Sequence, residues 1–597
     1  MRDPRAAGPD TGRPVAARAI ALGFAALCGL AAAAILAQAA AADDVSVWDG
    51  LRVALIWLTT TWLAWGAAQV LVGLPPRGDA PPRREGDPVG RTILLMPICN
   101  EDPGPVFARI AAMDASSRAA GLALDIAVLS DTRDGPAARR ESAAFALLLE
   151  RTNGAGRIFY RRRTDNRGRK AGNVEDFIRR SGAAYDYALI LDADSLMEGA
   201  TIREMILKMD ADRRLGLLQT LPRITGARSI FGRAMQFSAG FYSPVFARGL
   251  ARMQGDTGPF WGHNAIVRVR AMAECCGLPV LSGRPPFGGT ILSHDYVEAA
   301  LLARGGWRVE VDERLGGSYE EGPEDVVAYA RRDRRWCQGN LQHVRLILAP
   351  GLRGWSRFVF LQGILAYLVA IFWGAFLAAS VLASVTAPPP DYFPEAYNLF
   401  PVFPDDRTSR IAGLAVGIGG LLFLPKVAIH LGAALSGRAR GFGGAARALV
   451  SMLAEILLST LIAPLMLVYQ SRAVGEVLAG HDGGWPATHR EGARLTLAEG
   501  WVAGRRIAAW GVVLIVAAFL LAPTLAPWLL PVALPMIAAP LLISWTSAPA
   551  PRWLFPVPEE ATIPPVVARY RANLARWTGP ADRDPARQPE TGRHVAI

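Results

Sequence analysis

A chain of 597 residues exceeds one compact domain and leaves room for a soluble core beside a membrane bundle. Hydrophobic residues make up 51% of it and charged residues 19%, and the apolar ones gather in long runs, the distribution of a polytopic membrane protein. Arginines flanking those runs account for the formal charge of +12 through the positive-inside rule, so no nucleic-acid partner is called for. The five cysteines lack framework spacing, which points to a reducing cytosolic setting and no structural metal.

The first apolar run, about Ala17 to Ala41, follows Arg2, Arg5, Arg13 and Arg18, a pattern shared by signal peptides and spans. Leu51 to Leu74 is long enough to cross a bilayer and is followed by Arg77, Arg83 and Arg84, so the two runs read as a hairpin with both ends in the cytosol. The chain thus opens with a cytosolic tail (1–16), a two-helix hairpin (17–74) and a Pro-, Gly- and Arg-rich linker (75–91). From Thr92 to about Pro350 no run is apolar enough to span. Short β-type runs at 92–97, 124–130, 157–160 and 187–191 alternate with helical stretches, which predicts an α/β domain over 92–350 with a largely parallel sheet. Apolar runs return at about 358–387, 411–435, 449–467, 506–525 and 528–545, giving a multi-span bundle with interfacial segments over 351–548 and a cytosolic tail over 549–597. Five crossings would put that tail outside, against its many arginines, so one run is expected not to cross. The first suspect is Leu449 to Gly480, as a re-entrant or interfacial helix or as more than one element. Pro531, Pro535 and Pro540 predict a kinked last span.

In open α/β sheets ligands bind beyond the carboxyl ends of the strands, and three acidic turns fall there: 97–102, 131–134 and 192–194. Asp192 and Asp194 end a strand and can present two carboxylates to one hard cation, Mg²⁺ or Mn²⁺, that bridges a diphosphate. A bare D-x-D is common in surface and capping roles and gains weight only from its company. Lys170, one of three lysines in the chain, suits a phosphate oxygen, or it is a solvated charge in the run Arg161 to Lys170. Asp131 can accept hydrogen bonds from a base or ribose hydroxyl, or it closes an Asx turn. In Ser293-His294-Asp295 the serine suits a helix N-cap, and Asp295 is the candidate carboxylate for taking a proton from an acceptor hydroxyl. Arg331 to Trp336 is the densest cationic run. Arg335 could neutralise a departing diphosphate while Arg334 and Trp336 meet the acceptor, or the cluster meets anionic membrane lipid. Trp261 and His263 form a second aromatic and polar turn, with too few ligands for a metal site.

These residues, in this order, resemble the inverting processive glycosyltransferases of family 2, the group that includes cellulose synthase. That group carries a nucleotide-binding Asp, a D-x-D, a T-E-D-like base motif and Q-x-x-R-W before membrane helices, matched here by Asp131, by Asp192 with Asp194, by Ser293-His294-Asp295 and by residues 332–336. Here the base motif reads S-H-D, and Arg332 stands in the place of the glutamine, so that glutamine's acceptor contact is not carried over. More narrowly, residues 332–341, 260–264 and 129–132 are similar to the bacterial glucans biosynthesis glucosyltransferase H family, closely over about Thr92 to Leu348 and in layout over nearly the whole chain. The resemblance implies a GT-A-type, Rossmann-like cytosolic domain inserted between transmembrane helices of the bacterial inner membrane. It implies UDP-glucose as donor, a periplasmic glucan with a β-1,2-linked backbone as product, and acyl carrier protein and periplasmic glucan-processing proteins as partners. Three other readings stay open: a synthase of a different polymer, a transporter whose soluble domain senses a nucleotide, and a secretion scaffold with an inactive domain.

Overall fold

The computed structural model describes residues 13–41, 45–76, 86–387, 400, 408–482 and 494–577. Residues 1–12 of the amino-terminal tail, 77–85 of the linker with their arginines, and 578–597 of the arginine-rich tail lie outside the described residues.

Two long helices, α1 (Arg13–Ala40) and α2 (Val47–Gly73), form the hairpin, and a capping box between Ser46 and Asp49 opens the second. The soluble domain follows as β1 (Thr92–Ile98), α3 (Pro103–Ala119), β2 (Asp125–Ser130), α4 (Pro136–Thr152), β3 (Ile158–Arg162), α5 (Arg169–Ser181), β4 (Tyr187–Ile190), β5 (Leu196–Met197) and α6 (Gly199–Ala211). It continues with β6 (Leu215–Thr220), β7 (Arg223–Ile224), α7 (Ile230–Phe241), α8 (Ser243–Gln254), β8 (Ala265–Arg268), α9 (Val269–Cys275), α10 (His294–Arg304), β9 (Arg308–Asp312), β10 (Ser318–Glu320) and α11 (Val326–Gln342).

The main sheet has the order β3-β2-β1-β4-β8-β6-β9, and β5, β10 and β7 make a smaller one. The first four strands are parallel, as crossover helices demand. The sheet is largely parallel, as expected, with β8 alone running antiparallel, to both β4 and β6. Alternate residues of β1 serve two cores, with Leu94 and Met96 packing toward Phe107 and Ile110 of α3 and Ile93 and Leu95 toward Val174 and Phe177 of α5. Burial on both faces explains why β1 and β2 read as nearly continuous apolar runs.

The membrane part comprises α12 (Gly354–Thr386), α13 (Thr408–Leu435), α14 (Ala445–Leu478), α15 (Leu497–Leu521), α16 (Ala526–Ile537) and α17 (Ala539–Thr546). Among the described residues six helices, α1, α2, α12, α13, α14 and α15, are long and apolar enough to cross a membrane. The last predicted span is two helices bent by 56°, with Pro531 and Pro535 inside the first and Pro540 at the start of the second. Of the three forms expected around Leu449 to Gly480, more than one element is not what the chain adopts, since α14 runs unbroken through Pro464 to Leu478.

Helix α14 touches the soluble domain near both ends. Ser451 Oγ accepts from the Phe555 amide at 3.2 Å and Tyr242 donates to Glu455 at 3.2 Å, whereas Gln470 donates to Asp333 of α11 at 3.0 Å and Glu476 pairs with Arg334 at 3.1 Å. Its buried residues Ser451, Glu455, Leu458, Ile462 and Leu465 recur at helical spacing and form one protein-facing stripe. Where α2 meets α8 the backbones nearly touch. A Cβ at Gly249 would sit 1.9 Å from the Gln69 carbonyl oxygen, so only glycine fits.

After α17 the chain returns to the soluble domain. Pro549 bridges Ser229, the Ala550 amide donates to the Arg228 carbonyl at 2.9 Å, and α18 (Pro558–Ala561) brings Glu560 to Arg233 at 3.0 Å. Helix α19 (Pro565–Trp577) then lays Val566 and Val567 into the core beside α3, with Arg109 4.6 Å over the Tyr570 ring. Burying two such side chains contributes roughly 1.5 kcal/mol or more each, enough to hold this arm in place.

Candidate active site

Each parallel strand delivers a turn to the same edge. After β4, Ser195 Oγ accepts from the Asp192 amide at 2.8 Å, so the turn closes on itself and leaves both carboxylates at the strand end, Asp192 half-buried and Asp194 buried. Helix α5 starts there through Gly168 and Arg169, both at positive φ (73° and 50°). That start aims Lys170 across the edge, where its ammonium pairs with Asp192 and donates to the Gly262 carbonyl at 2.6 Å.

Gly262 carries a φ of +83°, a conformation that side chains resist, and a Cβ there would lie 3.5 Å from Cβ of Asp295. Asp192, Lys170 and Gly262 are therefore joined by direct bonds, and Asp295 lies beside Gly262, although Gly262 and Asp295 follow Lys170 far downstream. The turn holding Gly262 is fixed by buried Gln219, which accepts from the Trp261 amide at 3.0 Å and donates to the His263 carbonyl at 3.0 Å. His263 sits 3.7 Å from Asp192 and 2.7 Å from Glu320. Burial opposes its charged form, but Asp192 and Glu320 outweigh burial and raise the imidazole to about 9, so it is cationic at neutral pH. Burial likewise opposes the Glu320 carboxylate, which the hydrogen bond and charge of His263 hold below its ordinary range.

Asp295 lies in the first turn of α10. Burial pushes its carboxyl up, against the pull of His294, the Tyr296 amide and Lys170. Ser293 occupies the expected N-cap position, yet its hydroxyl makes no capping bond, because α11 passes so close that a Cβ at Gly339 would lie 2.2 Å from Ser293 Oγ. Its carbonyl faces His343 Nε2 at 3.2 Å instead, and burial lowers that histidine to about 4, leaving it neutral.

Asp131 is buried, and both its oxygens are bound: Arg163 at 2.6 and 2.8 Å and Asn173 at 2.8 Å. Its side chain is thus held by Arg163 and Asn173, two residues the sequence reading did not single out. On α11, Arg332 lies 4.4 Å over the indole of Trp336, which is 42% exposed, and Arg335 is half-buried. Arg334 pairs with Glu476 of α14 at 3.1 Å and donates to the His481 carbonyl at 2.9 Å. Gln219, Glu320, Arg163 and Asn173 carried no signal in the chain order, since each gains its role from a partner on another element.

The edge also fits a divalent cation. No group of three His, Cys, Asp or Glu among the described residues could hold a metal unaided. Two hard carboxylate oxygens awaiting completion by phosphate oxygens and water is the donor set that Mg²⁺ and Mn²⁺ accept. Asp192 already attracts two positive groups, Lys170 and His263.

A mixed sheet with carboxylates at its carboxyl edge, followed by apolar helices, defines a multi-pass membrane glycosyltransferase of GT-A type, and the family model of glycosyl transferase family group 2 matches residues 187–403. The chain is 54% identical over 587 residues to glucans biosynthesis glucosyltransferase H of Cereibacter sphaeroides, covering 98% of each chain. It is 39% identical to the protein of that name from Rhodopseudomonas palustris strain CGA009, over 98% of this chain and 82% of the relative. The Vibrio cholerae O395 counterpart is 40% identical over 86% of this chain and 73% of the relative. The chain belongs to the glucans biosynthesis glucosyltransferase H family. Among solved structures it is similar to the mannosyltransferase PcManGT of Pyrobaculum calidifontis in complex with GDP-Man and Mn²⁺, at 16% identity and a TM-score of 0.45, over 72% of this chain and 99% of that one.

Proposed function

We propose that the chain transfers glucose from UDP-glucose, with inversion at the anomeric carbon, to a growing glucan whose backbone is β-1,2-linked. The observation that carries this reading is that Asp192, Lys170 and Gly262 are bonded in series with Asp295 beside Gly262, which brings groups suited to a diphosphate near a carboxylate suited to a hydroxyl proton. The acceptor hydroxyl gives its proton to Asp295 as its oxygen bonds to the anomeric carbon, and the bond from that carbon to the phosphate oxygen breaks, its electron pair leaving with UDP. Lys170 and Arg335 balance the charge of the diphosphate. A Mg²⁺ or Mn²⁺ ion held by Asp192 and Asp194 would supply Lewis-acid neutralisation of the leaving group. Asp131 sets Arg163 and Asn173 against the uridine, while Trp336, Trp261 and His263 meet the acceptor and Arg334 braces α11 against α14.

The domain faces the cytosol, where the nucleotide sugar is made, and the bundle in the inner membrane carries the glucan outward. Acyl carrier protein and periplasmic glucan-processing proteins are the proposed partners, on the family resemblance alone. Of the helices after the soluble domain, α14 lies along its membrane face, which leaves α12, α13, α15 and the bent pair α16–α17 as crossings. That even number agrees with the carboxy-terminal arm lying on the soluble domain.

Asp295→Asn tests the assignment. We expect transfer from labelled UDP-glucose to fall by about 10²-fold or more while UDP affinity is kept, the scale of a lost general base. Turnover within a few-fold of wild type would sink it. Linkage analysis of the wild-type product tests the β-1,2 backbone separately.

A further inference from the structure

The returning arm and the soluble domain line an open hollow of about 480 Å³, behind the strand residue Glu320 whose carbonyl accepts from the Thr225 amide at 3.0 Å. Its walls combine Arg228 and Arg233, on either side of the start of α7, with Arg552, Glu559, Glu560 and Arg571 of the arm. The two acids are already satisfied from within the protein: Glu559 by Arg223 and Glu560 by Arg233 and by Gln236 at 3.2 Å. Arg228, Arg552 and Arg571 are exposed, and none of their guanidinium groups has a partner among the described residues. The backbone amide of Arg228 goes to Glu324, at 3.0 Å, but its side chain does not.

Three arginines without side-chain partners among the described residues, from two separate segments, therefore line one hollow. That arrangement differs from arginines strewn over a surface, where each is solvated alone. Planar forks of this kind match phosphate oxygens two at a time. The hollow also has a defined position. Pro549 and Ala550 in its wall follow α17 by only a few residues, and Trp545 and Trp553, 49% and 55% exposed, flank this stretch as interfacial tryptophans do.

We propose that this cavity is a binding site for a phosphoryl group, separate from the donor site. Two sources carry that chemistry at this position: the headgroup of an anionic phospholipid, and a soluble phosphate compound. Either would clip the arm to the start of α7 by bridging Arg228 to Arg552 and Arg571, adding to the existing pair between Arg233 and Glu560.

The experiment uses the full chain in neutral detergent with EDTA present, so that metal-dependent binding at Asp192 and Asp194 is suppressed. Dioctanoyl phosphatidylglycerol, dioctanoyl phosphatidylcholine and inorganic phosphate are titrated separately, and bound molecules are counted by native mass spectrometry. The comparison is the triple variant R228Q/R552Q/R571Q, which leaves Arg233 and both glutamates in place. We expect wild type to bind phosphatidylglycerol or phosphate, and the variant to lose about tenfold or more in affinity, the scale of one charge-assisted hydrogen bond to a phosphate. Binding of phosphatidylglycerol without phosphate assigns a lipid headgroup. Binding of phosphate that displaces the lipid assigns a soluble ligand. Equal binding by wild type and a variant of unchanged melting temperature overturns the proposal, as does failure of wild type to take up either anion or a preference for phosphatidylcholine.

Discussion

Asp295 combines burial with an acid's need to be ionised before it can accept a proton. With Asp295 as the proposed base, its raised pKa puts the expected acid limb of the pH profile above the ordinary aspartate value of about 4, and activity should fall as pH drops through that limb because the protonated form cannot act as base. Measuring kcat/KM against pH tests this, and a midpoint at or below the ordinary value would be the wrong outcome. The same shift has a stability side. A carboxyl whose pKa is higher in the folded than in the unfolded chain binds its proton more tightly when folded, so the folded state loses stability as pH rises through that window. Asp295→Asn removes that loss and should melt no lower than wild type at neutral pH, which separates inactivity from unfolding in a thermal melt. At this scale the acids were legible, because Asp131, Asp192 and Asp194 stand directly after strands. Their partners were not. Arg163 sat in a run that reads equally well as solvated charge, and Gln219 and Glu320 matter only through Trp261 and His263, which lie far from them in the chain.

Strands β1 to β4 and the first helices follow from the alternation of short apolar runs with helical stretches. What alternation could not reveal is the direction of β8. A strand that enters antiparallel between β4 and β6 has the same two-residue period as its neighbours, and only the connection lengths and the partner edges decide its sense. The bend between α16 and α17 was legible for the opposite reason, since proline announces itself in the sequence. Helix contacts made through glycine are a third case. Gly249→Ala should destabilise the junction of α2 with α8 by about 1–3 kcal/mol, as overpacking does, because the new methyl would meet the Gln69 carbonyl. Gly66→Ala, which lies in α2 with nothing near its Cβ position, is the control and should be neutral or mildly stabilising. Equal melting temperatures for the two variants would contradict the close approach.

On the scale of the whole chain, the arginines of the tail are the sequence feature from which the proposed even number of crossings after the soluble domain is argued. Which helix stays out of the count was not fixed by hydropathy, because α14 is as apolar as its neighbours. Its contacts with Phe555 at one end and Asp333 at the other are what the proposed choice of α14 rests on. Single cysteines at Leu449 and Leu478, exposed positions near its two ends, should label alike in a cysteine-free background: shielded from an impermeant maleimide in spheroplasts, reactive in inverted vesicles. Labelling from opposite sides would make α14 a crossing and refute the count. The geometry of α14 also limits how the molecule can move. Ser451 and Gln470 are separated by 19 residues of continuous helix, roughly 28 Å at 1.5 Å per residue; the first is bonded to the returning arm at Phe555 and the second to α11 of the soluble domain. A rod footed at both ends removes a degree of freedom. The segment at Phe555 and the α11 segment that carries Trp336 are tied to one continuous helix, so hinging them apart costs the bonds at one foot of the rod.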